Sequence, residues 1–463
     1  MKILLITPSG NPNRSLYERV LERVYLMWPP ITLRQIEAIT PEKYDVEIID
    51  ENYEKIDYTK HYDLVGISYF TATAPRAYKI ADKFREMGTK VVLGGYHASA
   101  LPEEAKQHAD AVVIGEAEET WPKLINDIEK DRLKPFYILE KPVNTDAIPR
   151  ATLTKIPNII KIGGIEATRG CPYGCEFCAL SNVRFGKIYR KKSIKKVVQE
   201  IVSIPYKYFI FYDGSLTVDM NYTKALFKEI KHLDKKFAAF GHANMVDDEE
   251  FLKIASDAGC IAWDIGFESI YQTTIDQLKK GTNVVKKYGH VVKKLHEYGM
   301  GVIGSFAFGF DDHSPNVFDK TLEAIREWDI DSIGVTILTP LPGTKFYNRM
   351  ESEGRILTKD WEKYDMYHVV FQPKKMTTNE LYEGTTRFID EYYSLKNLIR
   401  RLMGNTKNLG IISSQTMNYH LLSSRAIYKS AFNQRLLQGD WRKFIPATPR
   451  VHPSMVKKRL RHF

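Results

Sequence analysis

No apolar run in the 463-residue chain reaches the ~18 residues that a helix needs to cross a bilayer. The opening MKILLITPSG reads as a strand, not as a cleavable signal, so a cytoplasmic protein is expected. Cysteine is scarce, with four in the whole chain and none in residues 1–170. That excludes a scaffold built on disulfides. Acidic residues are nearly missing from one end: residues 396–463 carry 14 Lys/Arg against the single acid Asp440. The preceding 395 residues hold 53 basic and 56 acidic side chains, so the formal net charge of +10 belongs to the end of the chain. Internal repeats and low-complexity tracts are absent, and 43% hydrophobic with 27% charged residues is a globular composition.

What is present alternates. KILLIT (2–7), YDVEIID (44–50), DLVGIS (63–68), KVVLGG (90–95) and AVVI (111–114) are short β-type runs, with amphipathic stretches such as 74–87 and 116–129 around them. This pattern predicts a five-stranded, doubly wound parallel sheet over residues 1–135. Residues 136–157, rich in proline and without periodicity, read as a linker. A second α/β series over 158–345 has strand-like runs at 164–168, 208–213, 237–242, 261–269, 301–310 and 332–338, which predicts a partial (β/α)6 barrel with its reactive groups at the strand C-termini. Residues 346–463 read as a mostly helical region with a basic tail that includes an amphipathic helix over 419–437.

The strongest chemical signal is RGCPYGCEFCAL, residues 169–180. Cys171, Cys175 and Cys178 form C-x3-C-x2-C in a loop after a strand. Three thiolates at this spacing can hold three irons of a [4Fe-4S] cluster and leave the fourth open to a small ligand. Structural zinc wants a fourth ligand and usually paired C-x2-C units, and none follows nearby. Cys260 opens an apolar strand and reads as a small core residue.

The motif, with Phe177 as the aromatic before the third cysteine, resembles the radical S-adenosylmethionine (radical SAM) superfamily. The resemblance implies that SAM chelates the open iron and is cleaved by one electron to a 5′-deoxyadenosyl radical. The electron comes from a donor such as flavodoxin or ferredoxin. It also implies SAM contacts from Phe177, from Tyr212 and Asp213 at the end of the second barrel strand, from Glu268 at the end of the fourth, and from Gly304 in the fifth. A carboxylate there can accept from ribose hydroxyls or the SAM ammonium. Asp213 reads equally as a cap of the next helix.

DLVGISYFTATAPRAYKIADKFREMG, VVLGGYHAS and AVVIGEAEETW resemble the cobalamin-binding domain of the B12-dependent, class B radical SAM enzymes. Ligands of a doubly wound sheet bind beyond its strand C-termini. The resemblance therefore implies cobalamin contacts from Ser68, Thr71, Gly94, Gly95, His97, Gly115 and Glu116. His97 reads either as a cobalt ligand or as a locally hydrogen-bonded side chain. The loop PSGNPNRSLYERV, after the first strand, has no histidine for the lower axial position.

TPLPGTKFYNRMESEGRILTKDWEKYDMYHVVFQPKKMT (339–377) is similar to a class B subgroup that includes hopanoid and bacteriochlorophyllide methylases and tetraether-lipid ring synthases. Methyl transfer to an unactivated carbon of a lipid-like or tetrapyrrole substrate is what this implies. Cyclisation, carbon–carbon coupling or oxidation, and RNA modification, are the alternatives. Methylthiolation needs a second cysteine cluster in the first domain, and residues 1–170 have no cysteine, so nucleic acid is a poor candidate partner. The basic end can meet an anionic membrane surface, RNA phosphates or solvent alone.

Overall fold

The computed structural model describes residues 1–10, 31–151 and 161–437, with side chains through residue 425. Residues 152–157 of the expected linker, the loop beyond Gly10 and the tail beyond 437 lie outside them. Met1–Leu421 forms one compact unit and Leu422–Phe463 a second.

The first sheet is parallel throughout and contains β1 (Lys2–Thr7), β2 (Asp45–Asp50), β3 (Leu64–Ser68), β4 (Lys90–Gly94), β5 (Ala111–Ile114) and β6 (Phe136–Ile138), in the order β2-β1-β3-β4-β5-β6. Five of these are the expected runs. The sixth comes from the segment read as linker: FYI is only three residues long, too short to show a period, and it forms because Val112–Ile114 offers it an open edge. Both faces of the sheet are covered. Val65, Ile67 and Leu93 pack toward the helix Ala74–Glu86, while Ile3, Leu5, Leu64 and Val92 face Trp121 and Leu124 of the helix Thr120–Glu129. This two-sided burial explains why these strands read as continuous apolar runs. The strand order reverses between β1 and β3, so the cleft beyond the C-termini of β3, β4 and β5 is open to a ligand.

The second sheet is also parallel, in the order β14-β13-β12-β11-β10-β7, with β7 (Ile162–Ile165), β10 (Tyr208–Phe211), β11 (Lys236–Gly241), β12 (Cys260–Glu268), β13 (Gly301–Phe308) and β14 (Ser332–Ile337). Six strands in sequential order make the predicted partial barrel. The run GIEAT does not stay in one strand: β7 stops at Ile165, and β8 (Thr168–Arg169) turns away to pair antiparallel with β9 (Arg190–Lys191). That small ribbon aims the cysteine loop across the top of the barrel. The floor is closed by Leu409 and Met417, which pack on Ala262 and Ile303, and Gly301 makes room for Met417, whose Cγ would lie 2.4 Å from a Cβ there.

Beyond the barrel come the helices Lys345–Ser352, Thr378–Tyr392, Leu395–Asn408 and Ile411–Leu437. The third of these starts after a capping box at the second, Thr377 with Glu380. The last helix begins eight residues before the expected Tyr419, and the side chains of most of the stretch expected to be amphipathic lie outside the described residues. No helix of the described residues is long and apolar enough to cross a membrane.

Candidate active site

The three cysteines lie in a loop whose shape is set by backbone. Gly170 (φ +89°) and Gly174 (φ +66°) adopt the left-handed region, and a Cβ on Gly170 would come 2.3 Å from the Ile188 carbonyl oxygen. Cys171 N donates to Gly186 O (2.8 Å), while Asn182 Nδ2 donates to the carbonyls of Cys175 (3.1 Å) and Cys178 (2.8 Å). The loop is tied to the helix Lys345–Ser352, beyond the barrel, by Phe346 N, which donates to Glu176 O, and by the Glu176–Arg349 ion pair at 2.5 Å. All three thiols are half-buried and none is in a disulfide. Burial raises the Cys171 thiol and pushes that of Cys175 up to about 11, so these thiols would lose their protons readily only as a metal binds the sulfur.

Among the described residues no three His, Cys, Asp or Glu side chains converge on a point that would hold one metal ion. The C-x3-C-x2-C spacing of the thiols suits a cubane cluster, one iron to each.

Opposite the loop, β12 ends in Glu268, held at φ +63°. Glu268 Oε1 accepts from Lys280 Nζ (2.6 Å), and the same ammonium donates to Gly266 O (2.7 Å), which Asn283 Nδ2 also reaches (2.8 Å). Burial pulls the Lys280 ammonium down, but the Glu268 carboxylate and the thiols of Cys175 and Cys178 leave it raised overall. At the end of β11, His242 Nδ1 lies 2.7 Å from Ser215 Oγ and its ring meets Tyr173 of the cysteine loop at 4.6 Å between centroids. Burial and the nearby Lys280 charge push His242 down to about 3, so it is a neutral imidazole. One layer below, Ser305 Oγ donates to Asp264 Oδ1 (2.8 Å), and burial raises Asp264 to about 7. Sequence reasoning missed Lys280, His242 and Asp264. His242 and Glu268 share the signal of a polar residue at a barrel strand's C-terminus, whereas Lys280 sits in the run LKKGTN, which looks like a solvated turn.

Four other residues expected to touch SAM are placed differently. Asp213 is buried, with its carboxylate taken by Ala167 N (3.3 Å), Thr168 Oγ1 (2.6 Å) and Thr168 N. It braces the turn between β7 and β8, and the helix that follows is capped by Asp219 instead. Tyr212 lies over Gly164, where a Cβ would come 2.4 Å from its Cε2. Gly304 faces Phe267, Phe306 and Ile330 in the outer core, because alternate residues of β13 point to opposite sides and Ser305 takes the inner one. Phe177 sends its ring into the apolar cluster with Phe310 (6.1 Å). Cys260 is buried at the far end of β12 from Glu268, about 26 Å away along the strand.

At the C-terminal edge of the first sheet a cavity of about 210 Å³ is lined by Ser68, Gly94, Gly95, Gly115 and Glu116, and runs down between Gly66, Leu5, Val92 and Trp121. Gly66 keeps it open, since a Cβ there would meet Leu5 (3.0 Å) and Trp121 (3.1 Å). Gly95 (φ +94°) could not carry a Cβ without reaching Tyr69 O at 2.7 Å. A largely apolar slot of this size with a glycine mouth suits the tail of a larger ligand whose body lies beyond the strand ends.

Five of the seven expected cobalamin contacts line this cavity; Thr71 and His97 do not. His97 Nδ1 lies 3.2 Å from Thr71 Oγ1 and Nε2 lies 3.3 Å from Glu104 Oε1, with Tyr69 and Trp361 against the ring. Both ring nitrogens are occupied on the opposite side of the sheet, so the locally bonded reading of His97 holds. Glu104 also accepts from Trp361 Nε1 (3.0 Å), which fastens the first domain to the segment after the barrel. Glu116 lines the cavity, but its carboxylate turns to Arg190 and Arg169. Arg169 also pairs with Glu118 (2.7 Å) and Glu166 (2.7 Å), and it lines the cavity two residues before Cys171. One guanidinium thus joins the rim of the cavity to the cysteine loop.

Residues 165–349 match the Radical SAM superfamily, residues 18–125 the B12 binding domain, and residues 344–456 a Domain of unknown function (DUF4070). The bacteriochlorophyllide d C-8(2)-methyltransferase of Chlorobaculum tepidum is 31% identical over 433 residues, covering 88% of this chain and 96% of that protein. The C-12(1)-methyltransferase of the same organism is 31% identical over 394 residues, covering 82% and 86%. In fold the chain is similar to the radical S-adenosylmethionine methyltransferase TsrM from Kitasatospora setae, solved with cobalamin and a [4Fe-4S] cluster, at TM-score 0.65 and 16% identity over 93% of this chain and 99% of that one. The chain belongs to the cobalamin-dependent, class B radical SAM enzymes, whose cofactors are a [4Fe-4S] cluster, SAM and cobalamin.

Proposed function

We propose that this enzyme is a C-methyltransferase acting on an unactivated carbon of a tetrapyrrole or lipid-like substrate. The observation that carries the reading is Arg169, which lines the glycine-mouthed cavity and stands two residues before Cys171, linking the cavity to the cysteine loop. Likeness to two tetrapyrrole methyltransferases supports the substrate class.

In this reading residues 1–135 carry cobalamin, 136–157 connect, 158–345 carry the cluster and SAM, and 346–463 complete the substrate side. When bound, the cluster with SAM supplies a carbon-centred radical and cobalamin supplies the methyl group. Cys171, Cys175 and Cys178 hold the cluster. Glu268 receives the SAM ammonium or ribose, with Lys280 fixing the carboxylate and offering a cation to the SAM carboxylate. Ser68, Gly94, Gly95 and Gly115 accept the face and edge of the corrin. Asp264 and Ser305 line the barrel one layer beneath neutral His242, where they can orient a polar group of the substrate. Closure of the floor by Leu409 and Met417 keeps water from that end. The electron comes from a flavodoxin- or ferredoxin-type donor, and the basic C-terminal segment brings the enzyme to an anionic membrane surface.

The test is anaerobic reconstitution with iron, sulfide and cobalamin, followed by SAM, a reductant and a panel of bacteriochlorophyllide and polycyclic lipid substrates. Substrate-dependent 5′-deoxyadenosine and a product heavier by one CH2 unit are expected. Release of 5′-deoxyadenosine with a product lacking two hydrogens, and no added carbon, would instead assign a cyclase or oxidase.

A further inference from the structure

The helix Leu395–Asn408 is inside out. Its inward face carries Asn397, Arg401 and Asn405, all buried, with Leu398 as the one large apolar residue among them. They are held by the fold: Asn397 Nδ2 donates to Glu391 O (2.7 Å), Arg401 Nη1 donates to Tyr392 O (3.0 Å), and the Arg401 guanidinium stacks over the Tyr392 ring at 3.5 Å, with only its Nη2 lacking a hydrogen-bond partner. The outward face carries Leu395, Ile399 and Met403, which are 66%, 49% and 69% exposed. They fall at i, i+4 and i+8, so they form one continuous stripe along the helix. Single exposed apolar residues are ordinary, but an aligned stripe on a helix whose polar residues point inward requires a covering surface.

Charge identifies the cover. Lys396 and Arg400 flank the stripe, Lys407 continues its line, and all three are exposed. From residue 392 to residue 439 the sequence contains no Asp or Glu. A second copy docked through the same face would oppose these cations to their own kind, because the acids at the two ends of the helix are already engaged, Glu391 by Arg326 and Asn397 and Asp329 by Asn408. An anionic bilayer surface accepts both features, because the apolar stripe enters the acyl boundary while lysine and arginine stems reach back to the headgroups.

We infer that the helix Leu395–Asn408 is a membrane-surface anchor that seats the enzyme on anionic lipid, with Leu395, Ile399 and Met403 inserted and Lys396, Arg400 and Lys407 on the phosphates. The inference rests on the proposed contact with an anionic membrane and assigns it to one helix face of the described fold, distinct from the tail beyond residue 437.

The test is co-sedimentation of the full chain with vesicles of equal parts phosphatidylglycerol and phosphatidylcholine, beside vesicles of phosphatidylcholine alone. The intact protein should bind the anionic vesicles and be released by salt. The variants Leu395→Ser/Ile399→Ser/Met403→Ser and Lys396→Glu/Arg400→Glu should each bind at least about tenfold more weakly. Thermal unfolding and vesicle-free 5′-deoxyadenosine formation, read on the same samples, should stay at the level of the unaltered protein, since these side chains face outward. Absence of binding by the intact protein, or equal binding by all three, overturns the anchor and leaves the radical chemistry untouched. A concentration-dependent dimer in light scattering that the serine variant abolishes would overturn it in favour of a self-association face.

Discussion

Lys280 Nζ donates to Glu268 Oε1 at 2.6 Å, with both side chains largely withdrawn from solvent at the mouth of the barrel. A buried pair of this kind does not stabilise strongly by itself, because desolvation offsets the attraction. Removing one partner, however, strands the other charge, at a cost of about 3–5 kcal/mol. Lys280→Met should therefore lower the unfolding free energy by an amount on the order of 3 kcal/mol in urea titration, and weaken SAM binding measured by calorimetry by tenfold or more. Unchanged SAM affinity in a folded Lys280→Met protein would remove Glu268 and Lys280 from the SAM site.

Gly170 tests the cysteine loop. At φ +89° and 2.3 Å from the Ile188 carbonyl, a Cβ is excluded both by conformation and by space. Strain of about 1–3 kcal/mol or more should distort the loop in Gly170→Ala. Reconstituted iron and sulfide should fall well below the content of the unaltered protein while the far-ultraviolet circular dichroism is kept. Full iron loading in Gly170→Ala would show that the loop tolerates another path.

The cavity on the first sheet separates cobalamin contacts from bystanders. Gly94 has ordinary backbone angles, and a Cβ there meets only Val113 at 3.6 Å, so Gly94→Leu fits the strand yet projects into the cavity. Cobalamin retention should drop at least about tenfold while iron content stays constant. His97→Ala should leave the absorption spectrum of bound cobalamin unchanged, because both ring nitrogens serve Thr71 and Glu104. A shifted cobalt spectrum in His97→Ala would restore that histidine as a ligand.

Much of this was legible in the sequence because the chemistry is carried by local pattern. Two-sided burial makes β1, β3, β4 and β5 read as apolar runs, and three cysteines within eight residues announce their own function. The failures occur where side-chain direction is set by tertiary packing. Asp213, Tyr212 and Gly304 lie at or near the right strand ends, but the turn into β8 claims the first, Gly164 seats the second, and strand parity sends the third outward. Thr71 and His97 follow the correct strands and turn to the wrong side of the sheet. Lys280 sits in a run that looks like a solvated turn because its partner Glu268 is brought to it by the fold, as Glu116 and Glu118 are brought to Arg169.

Asp264 gives a pH signature. Burial raises its carboxyl from the ordinary 3.8 to about 7. Below the ordinary value both folded and unfolded chains hold the proton; between there and pH 7 the unfolded chain gives it up first. This contribution to stability is therefore fully present at low pH and is lost as pH rises through about 7. Asp264→Asn keeps an acceptor for Ser305 and abolishes the titration, so its stability relative to the unaltered protein should climb by an amount on the order of 1–3 kcal/mol between roughly pH 4 and 7. A pH-independent difference would mean that Asp264 is ionised in the folded enzyme.

The central claim is that one active site consumes two SAM molecules, one for its methyl group and one for its adenosyl radical, and CD3-SAM marks the methyl that reaches the product. With reconstituted enzyme, reductant and a bacteriochlorophyllide substrate, mass spectrometry should find the deuterated methyl carbon in the product, with about one 5′-deoxyadenosine and one S-adenosylhomocysteine per methyl transferred, and neither methylation nor 5′-deoxyadenosine in a Cys171→Ala/Cys175→Ala/Cys178→Ala protein. Sustained 5′-deoxyadenosine formation coupled to product with no deuterium incorporated would contradict the assignment as a methyltransferase.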